Sequence, residues 1–360
     1  MADLRNDLEN TLGARGLRGI QAAGWMVVIG ISLVLIRAGK DLFIPLVIAL
    51  IGVYLIKILE RWIGCVRISG RGLPAPAALA LAFTAVIALS LVLFSIIAEN
   101  AMRVAELAPR YQSRIQAIQA GLFLAAGVEQ PPALRSFLSG FDIPGTVTVV
   151  ATNLAALLKN AVLILIFGVF LLLESRFIPA KIAALFPSDD RRIRVEGILN
   201  RVDRDIQTYF GVKTAVSLLT ALLSYAVMKY VGLDFAPFWA LLVFILNFIP
   251  TIGSIFATIM PGLLALVQFE EWRPVVILLV GITVIQQVLG NIVEPNLMGI
   301  TLNLSPLVVV MSLLLWGMLW GVVGMFLCVP ITVILVIILA NFPSTSWVAV
   351  LLSKDGNVRL

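Results

Sequence analysis

From Pro295 to Ser353 the chain runs for 59 residues without one charged side chain. In water such a run would expose a single large apolar surface, and soluble chains break runs like it with charge. In hydrocarbon it is stable, provided that helices satisfy its backbone groups internally. Apolar residues make up 61% of the chain and charged residues 13%, and several other stretches exceed the roughly 18 apolar residues of a membrane-crossing helix. The expectation is an all-α polytopic membrane protein with a lipid bilayer as its solvent.

A formal charge of +6 could suggest nucleic acid, but the basic residues form no patch on a soluble domain, and no nucleic-acid partner is expected. They sort by membrane side instead. With spans near 20–36, 42–59, 74–98, 153–173, 211–231 and 274–293, one side holds 17 of the 26 Lys and Arg residues, the other holds eight, and Lys159 falls inside a span. The positive-inside bias makes the first side, with both termini, cytoplasmic. The organisation read from the sequence is a cytoplasmic arm (1–19), three spans (20–98), an extracytoplasmic, partly helical segment (99–151) and a fourth span (152–174). Cytoplasmic amphipathic helices (175–210), a span with a first hairpin (211–269), a span with a second hairpin (270–341) and a cytoplasmic tail (342–360) follow. Within 175–210, Pro187-Ser188-Asp189-Asp190 marks a helix start.

The last third carries a repeat. Leu233-Asp-Phe-Ala-Pro237 recurs 69 residues later as Leu302-Asn-Leu-Ser-Pro306, and each copy meets a second proline 24 residues on, Pro261 and Pro330. Each apolar run is interrupted, by Pro250-Thr-Ile-Gly253 in the first and by Gly317, Gly321 and Gly324 in the second. Pro237 to Pro250 is 13 residues, about 20 Å of helix, against a hydrocarbon core of roughly 30 Å. Both copies therefore read as hairpins that enter the bilayer and return. Counted from a cytoplasmic N-terminus, the first begins and ends outside and the second inside. The fold expected is about six full spans plus two inverted re-entrant helical hairpins, an arrangement found in secondary transporters.

Backbone that leaves the helix inside a membrane persists only where protein buries it or water in a cavity solvates it. Around the first break Asn247, Thr251 and Ser254 offer amide and hydroxyl groups to a small polar solute, or satisfy freed backbone groups. On the inward-crossing helix Gln287, Asn291 and Glu294 fall near one face, although Glu294 at the expected inner end could simply be solvated. These six are the candidate substrate-pathway residues. Pro250, Gly253, Pro295, Gly317 and Gly321 are the candidates that shape tips and hinges, with Gly317 and Gly321 equally suited to close helix packing. The two cysteines, Cys65 and Cys328, have no metal spacing, and there is no histidine. No metal, cofactor or catalytic group is expected, and an intramembrane protease is disfavoured.

At these residues the chain resembles the autoinducer-2 exporter family of bacterial membrane proteins. The resemblance rests on Asn247-Phe-Ile-Pro-Thr-Ile-Gly253 with Pro261, Gln287 through Asn291, Pro295 to Gly299, Leu304-Ser-Pro306, and Gly321-x-x-Gly324 with Pro330. It implies export of a small polar solute, with autoinducer-2 as the family's namesake, and a ring-shaped homo-oligomer, a pentamer, with an elevator-like moving part. Some members resemble monovalent cation/proton antiporters, which makes that activity the main alternative. A non-transporting scaffold is a further rival, favoured if the hairpins pack without a cavity.

Overall fold

The computed structural model describes residues 24–64 (except 25 and 29), short stretches between 67 and 100, residues 103, 111 and 114, and then 160–298 and 303–356. The expected positions of Lys159 and of most of the 99–151 segment lie outside the described residues. The elements are α1 (Met26–Ala38), α2 (Lys40–Gly64), α3 (Pro76–Leu89), α4 (Ala161–Ser175), α5 (Ile178–Leu185) and α6 (Asp189–Val231). Then come α7 (Ala236–Leu246), α8 (Ile252–Gln268), α9 (Trp272–Val288), a π-turn (Leu289–Val293), α10 (Glu294–Met298), α11 (Pro306–Trp320), α12 (Val322–Ala340) and α13 (Ser346–Leu352). A two-residue β-ribbon, Arg67–Ile68 against Arg71–Gly72, is the described sheet.

Among the described residues, four helices are long and apolar enough to cross a membrane: α2, α6, the continuous α9-to-α10 stretch and α12. The pair α4 and α5, bent by 57°, makes a fifth if counted as one span. The chain is thus a multi-pass helical membrane protein. Two of the six expected spans correspond to the shorter apolar helices α1 and α3, which border residues outside the described set. α6 is one unbroken helix of 43 residues, about 65 Å long. Twice the hydrocarbon thickness, it joins the expected cytoplasmic helix to the following span without a hinge. Ser188 sits at its N-cap in extended conformation, Asp189 and Asp190 fill its first turn, and Gly232 ends it at φ 77°.

The faces of α6 are sorted for lipid. Ser217, Thr220 and Ser224 are buried against protein, while Leu218, Leu219, Leu222 and Leu223 are exposed. A soluble helix does the reverse, and an apolar solvent stabilises this polar-in, apolar-out packing over about two turns.

Both repeat copies are helix–break–helix units. Pro237 and Pro306 occupy the first turns of α7 and α11, where a missing N–H costs nothing. The first break spans residues 247–251 and the second is Gly321 alone, at φ 65°. In each unit a glycine soon after the break lies under a carbonyl of the arm before it. A Cβ on Gly253 would collide with the Leu246 carbonyl, and one on Gly324 with the Trp316 carbonyl. This shared close approach is the structural meaning of the two glycine signals. Gly317 instead faces the flexible Met325 side chain. The arms α7, α8 and α11 are shorter than a span, whereas α12, at 19 residues, is not.

The two tips meet. Phe248 of the first break stacks on Phe326 of α12 with centroids 4.6 Å apart and planes 24° from parallel. Phe248 and Ile249 belong to the same buried cluster as Tyr209, Phe210, Trp316, Leu327 and Val329. A second cluster joins α7, α8 and α9 to Met228 near the end of α6. Trp316 is core, and Trp320 donates its indole N–H to the Ile36 carbonyl at 3.0 Å, so both tryptophans serve packing.

Gly253→Ala and Gly324→Ala should each destabilise the protein by about 3 kcal/mol or more, because backbone rather than a yielding side chain opposes the new methyl. Gly168→Ala, with nothing within 4 Å of its Cβ position, should be neutral or stabilising. Apparent melting of the purified variants in detergent checks the contrast.

Candidate functional site

A cavity of about 760 Å³ opens where the first tip, α6, the α9-to-α10 helix and the start of α11 converge. On its wall lie all six candidate pathway residues, Asn247, Thr251, Ser254, Gln287, Asn291 and Glu294, together with Pro250. Pro295, Gly253, Gly317 and Gly321 lie off the lining, in the helices and break behind it. The scaffold alternative, a dry contact between hairpins, does not describe this site.

The first tip is strained at the cavity surface. Thr251 has φ 61° and ψ −57°, and the Ile252 N–H reaches the Pro250 carbonyl at 2.6 Å. This is the rare γ-turn that a β-branched residue adopts only when its surroundings enforce it. Asn247 is buried and donates through Nδ2 to the Ser217 hydroxyl on α6 at 3.0 Å. One amide therefore ties the tip to α6 and borders the cavity. Losing it would leave a fully buried hydroxyl without its donor, a cost of about 1–3 kcal/mol.

On the opposite wall the helix widens. Leu289–Val293 forms a π-turn, and the Glu294 N–H reaches back to the Leu289 carbonyl. Pro295 follows at once, and it has no N–H to return to the Asn291 carbonyl. The inserted residue turns everything beyond it by about 100° relative to an unbroken α-helix. Sequence periodicity carries no sign of it. Within the widened helix the Asn291 side-chain amide donates through Nδ2 to the Gln287 side-chain Oε1. Gln286 beside it is buried, lines the cavity, and has an Nε2 without a partner.

Glu294 is not a solvated end group. Its Oε1 accepts from the Lys213 ammonium at 2.6 Å, and the side chains are 15% and 9% exposed respectively. By sequence, Lys213 counts among the 17 basic residues of the cytoplasmic side. In the fold it lies on the α6 face that looks into the cavity. Removing either partner would strand a charge in a poorly solvated place, at a cost of about 3 kcal/mol. Tyr209 and the C-terminal Lys354 and Asp355 also line the cavity. That last pair arrives because Ser353 bridges antiparallel to Leu304 and the Lys354 N–H bonds the Asn303 carbonyl at 3.0 Å. The tail expected at 342–360 is thus strapped to the entrance of α11. Among the described residues of 99–151, Tyr111 donates to Asp234 at 2.6 Å and Arg114 pairs with Glu270 at 2.8 Å, docking that segment on the ends of the first hairpin.

The sequence profile of AI-2E family transporters matches residues 25–344. The chain belongs to the AI-2E transporter family. Similar members include the AI-2 transport protein TqsA of Escherichia coli (strain K12), 31% identical over 94% of this chain and 96% of that protein. Another, named "Putative transport protein YhhT", from the same strain, is 28% identical over 89% of this chain and 92% of its own length. A Haemophilus influenzae transport protein of the same kind of name is 36% identical over 56% of this chain and 58% of its own. The tips, the widened helix and the cavity wall apart from Lys354 and Asp355 fall inside the residues that the family profile matches.

Thr251→Gly should stabilise the protein by about 1 kcal/mol, since glycine adopts positive φ without the side-chain penalty. A rise of the apparent melting midpoint checks it.

Proposed function

We propose that this AI-2E family transporter is a secondary transporter that exports a small polar solute through the cavity between its hairpin tips. The observation that carries the reading is the convergence of a strained tip, a π-turn and an unpaired buried amide on one cavity. Amides and hydroxyls from elements far apart in sequence replace a solute's water there, while broken helix ends supply extra backbone groups. In this reading the two helix–break–helix units are re-entrant hairpins of opposite orientation, framed by six spans, with both termini cytoplasmic in a bacterial inner membrane. The chain works as a homo-oligomer whose hairpin unit moves in an elevator-like cycle against the remaining helices. The name of TqsA supports an autoinducer-2-like solute as the first to try.

One observation favours a second reading, monovalent cation/proton exchange. Glu294 is a carboxylate at a cavity wall, away from bulk solvent, and an antiporter needs such a group.

Reconstituted in proteoliposomes, the protein should pass autoinducer-2, and Gln287→Ala and Ser254→Ala should each lower the flux about tenfold, the loss of one good solute hydrogen bond, with unchanged elution in gel filtration. Wild-type flux in both variants, or sodium-driven proton movement without solute flux, would overturn the exporter reading.

A further inference from the structure

A carboxylate lodged in a cavity wall needs a positive partner, a proton or a bound cation, because an unpaired charge costs several kcal/mol there. Glu294 has its partner within the chain. We propose that the Lys213 ammonium is a tethered counter-cation, filling the place at Glu294 that a free monovalent cation would otherwise take, so that passage through the cavity needs no such ion from solution. The inference deepens the exporter reading and rests on it only for the word passage.

Three features support it. The 2.6 Å contact is the short, charge-assisted kind, and it joins residues 81 apart in the chain. Lys213 sits on α6, which packs along the α9-to-α10 helix, so the two charges are held by neighbouring rigid elements and not by a loop. The π-turn sets the azimuth of Glu294 from the other side, which makes the meeting a product of backbone geometry. The other titratable groups on the cavity are Tyr209 on α6 and the Lys354 and Asp355 pair on the C-terminal strap. Those two carry opposite charges and leave the sum at the wall unchanged. A free cation approaching Glu294 meets a site already neutral.

The test reads ion binding and not flux, so its failure and that of the exporter reading are separable. Wild type, Lys213→Met, Lys213→Arg and Lys213→Met/Glu294→Gln are purified in detergent, and apparent melting is followed with sodium against choline chloride at constant ionic strength and from pH 5.5 to 8.5. Wild type and Lys213→Arg should be indifferent to sodium. Lys213→Met should melt about 4 °C or more higher in sodium than in choline, or lose stability as pH rises. The sign follows because a stranded carboxylate binds its proton more tightly folded than unfolded, so that stability falls with rising pH. The double variant should lose both dependences. Sodium-dependent melting of wild type would overturn the proposal, as would a folded Lys213→Met variant that follows wild type in both salt and pH.

Discussion

Interrupting a helix inside hydrocarbon frees amide and carbonyl groups that lipid cannot satisfy, so an interrupted helix must be buried in protein or face trapped water. Both interrupted helices of this chain have their breaks packed against protein or bordering a cavity. The Phe248–Phe326 stack covers the tips with each other, and the close passes at Gly253 and Gly324 let each chain reverse without leaving room for lipid. On the side where the first tip is not covered lies the cavity. Tip and cavity are therefore two consequences of one constraint.

The same constraint orders the polar groups. Along α6 from Ser217 to Ser224, hydroxyls face inward and leucines outward, the sorting of a helix that faces lipid. Asn247 is fastened there by Ser217, and Glu294 by Lys213. Both attachments run from a broken element to α6, the longest of the described helices. α6 thus acts as the frame against which the interrupted helices are held, and any motion of a hairpin must exchange or carry these contacts.

The parts of this arrangement legible in the sequence are those written in local chemistry. Proline at a first turn, glycine at a break and an uncharged run each have a backbone cause, and they located α7, α8, α11 and α12 within a few residues. The six pathway candidates line one cavity because polar residues in apolar helices have few other places to go. Long-range pairing was not legible. Lys213 falls at the start of the expected 211–231 span, but nothing in the sequence ties it to Glu294, 81 residues on, and its role appears only when α6 crosses the widened helix. The π-turn shifts register without altering composition, and the C-terminal strap depends on an antiparallel bridge between Leu304 and Ser353 that two residues cannot announce. The return arm α12 also proved long enough to cross a membrane, because its apolar run continues well past Pro330.

The most direct test of the account is whether the tips touch in a membrane. With Cys65 and Cys328 replaced by serine and alanine, Phe248→Cys and Phe326→Cys are introduced together and treated in native membranes with a short rigid bismaleimide. Peptide mass spectrometry then locates the link. The account predicts an intrachain link between positions 248 and 326, absent from either single variant. Full modification of both cysteines without a link between them would show hairpins that end apart, and would contradict it.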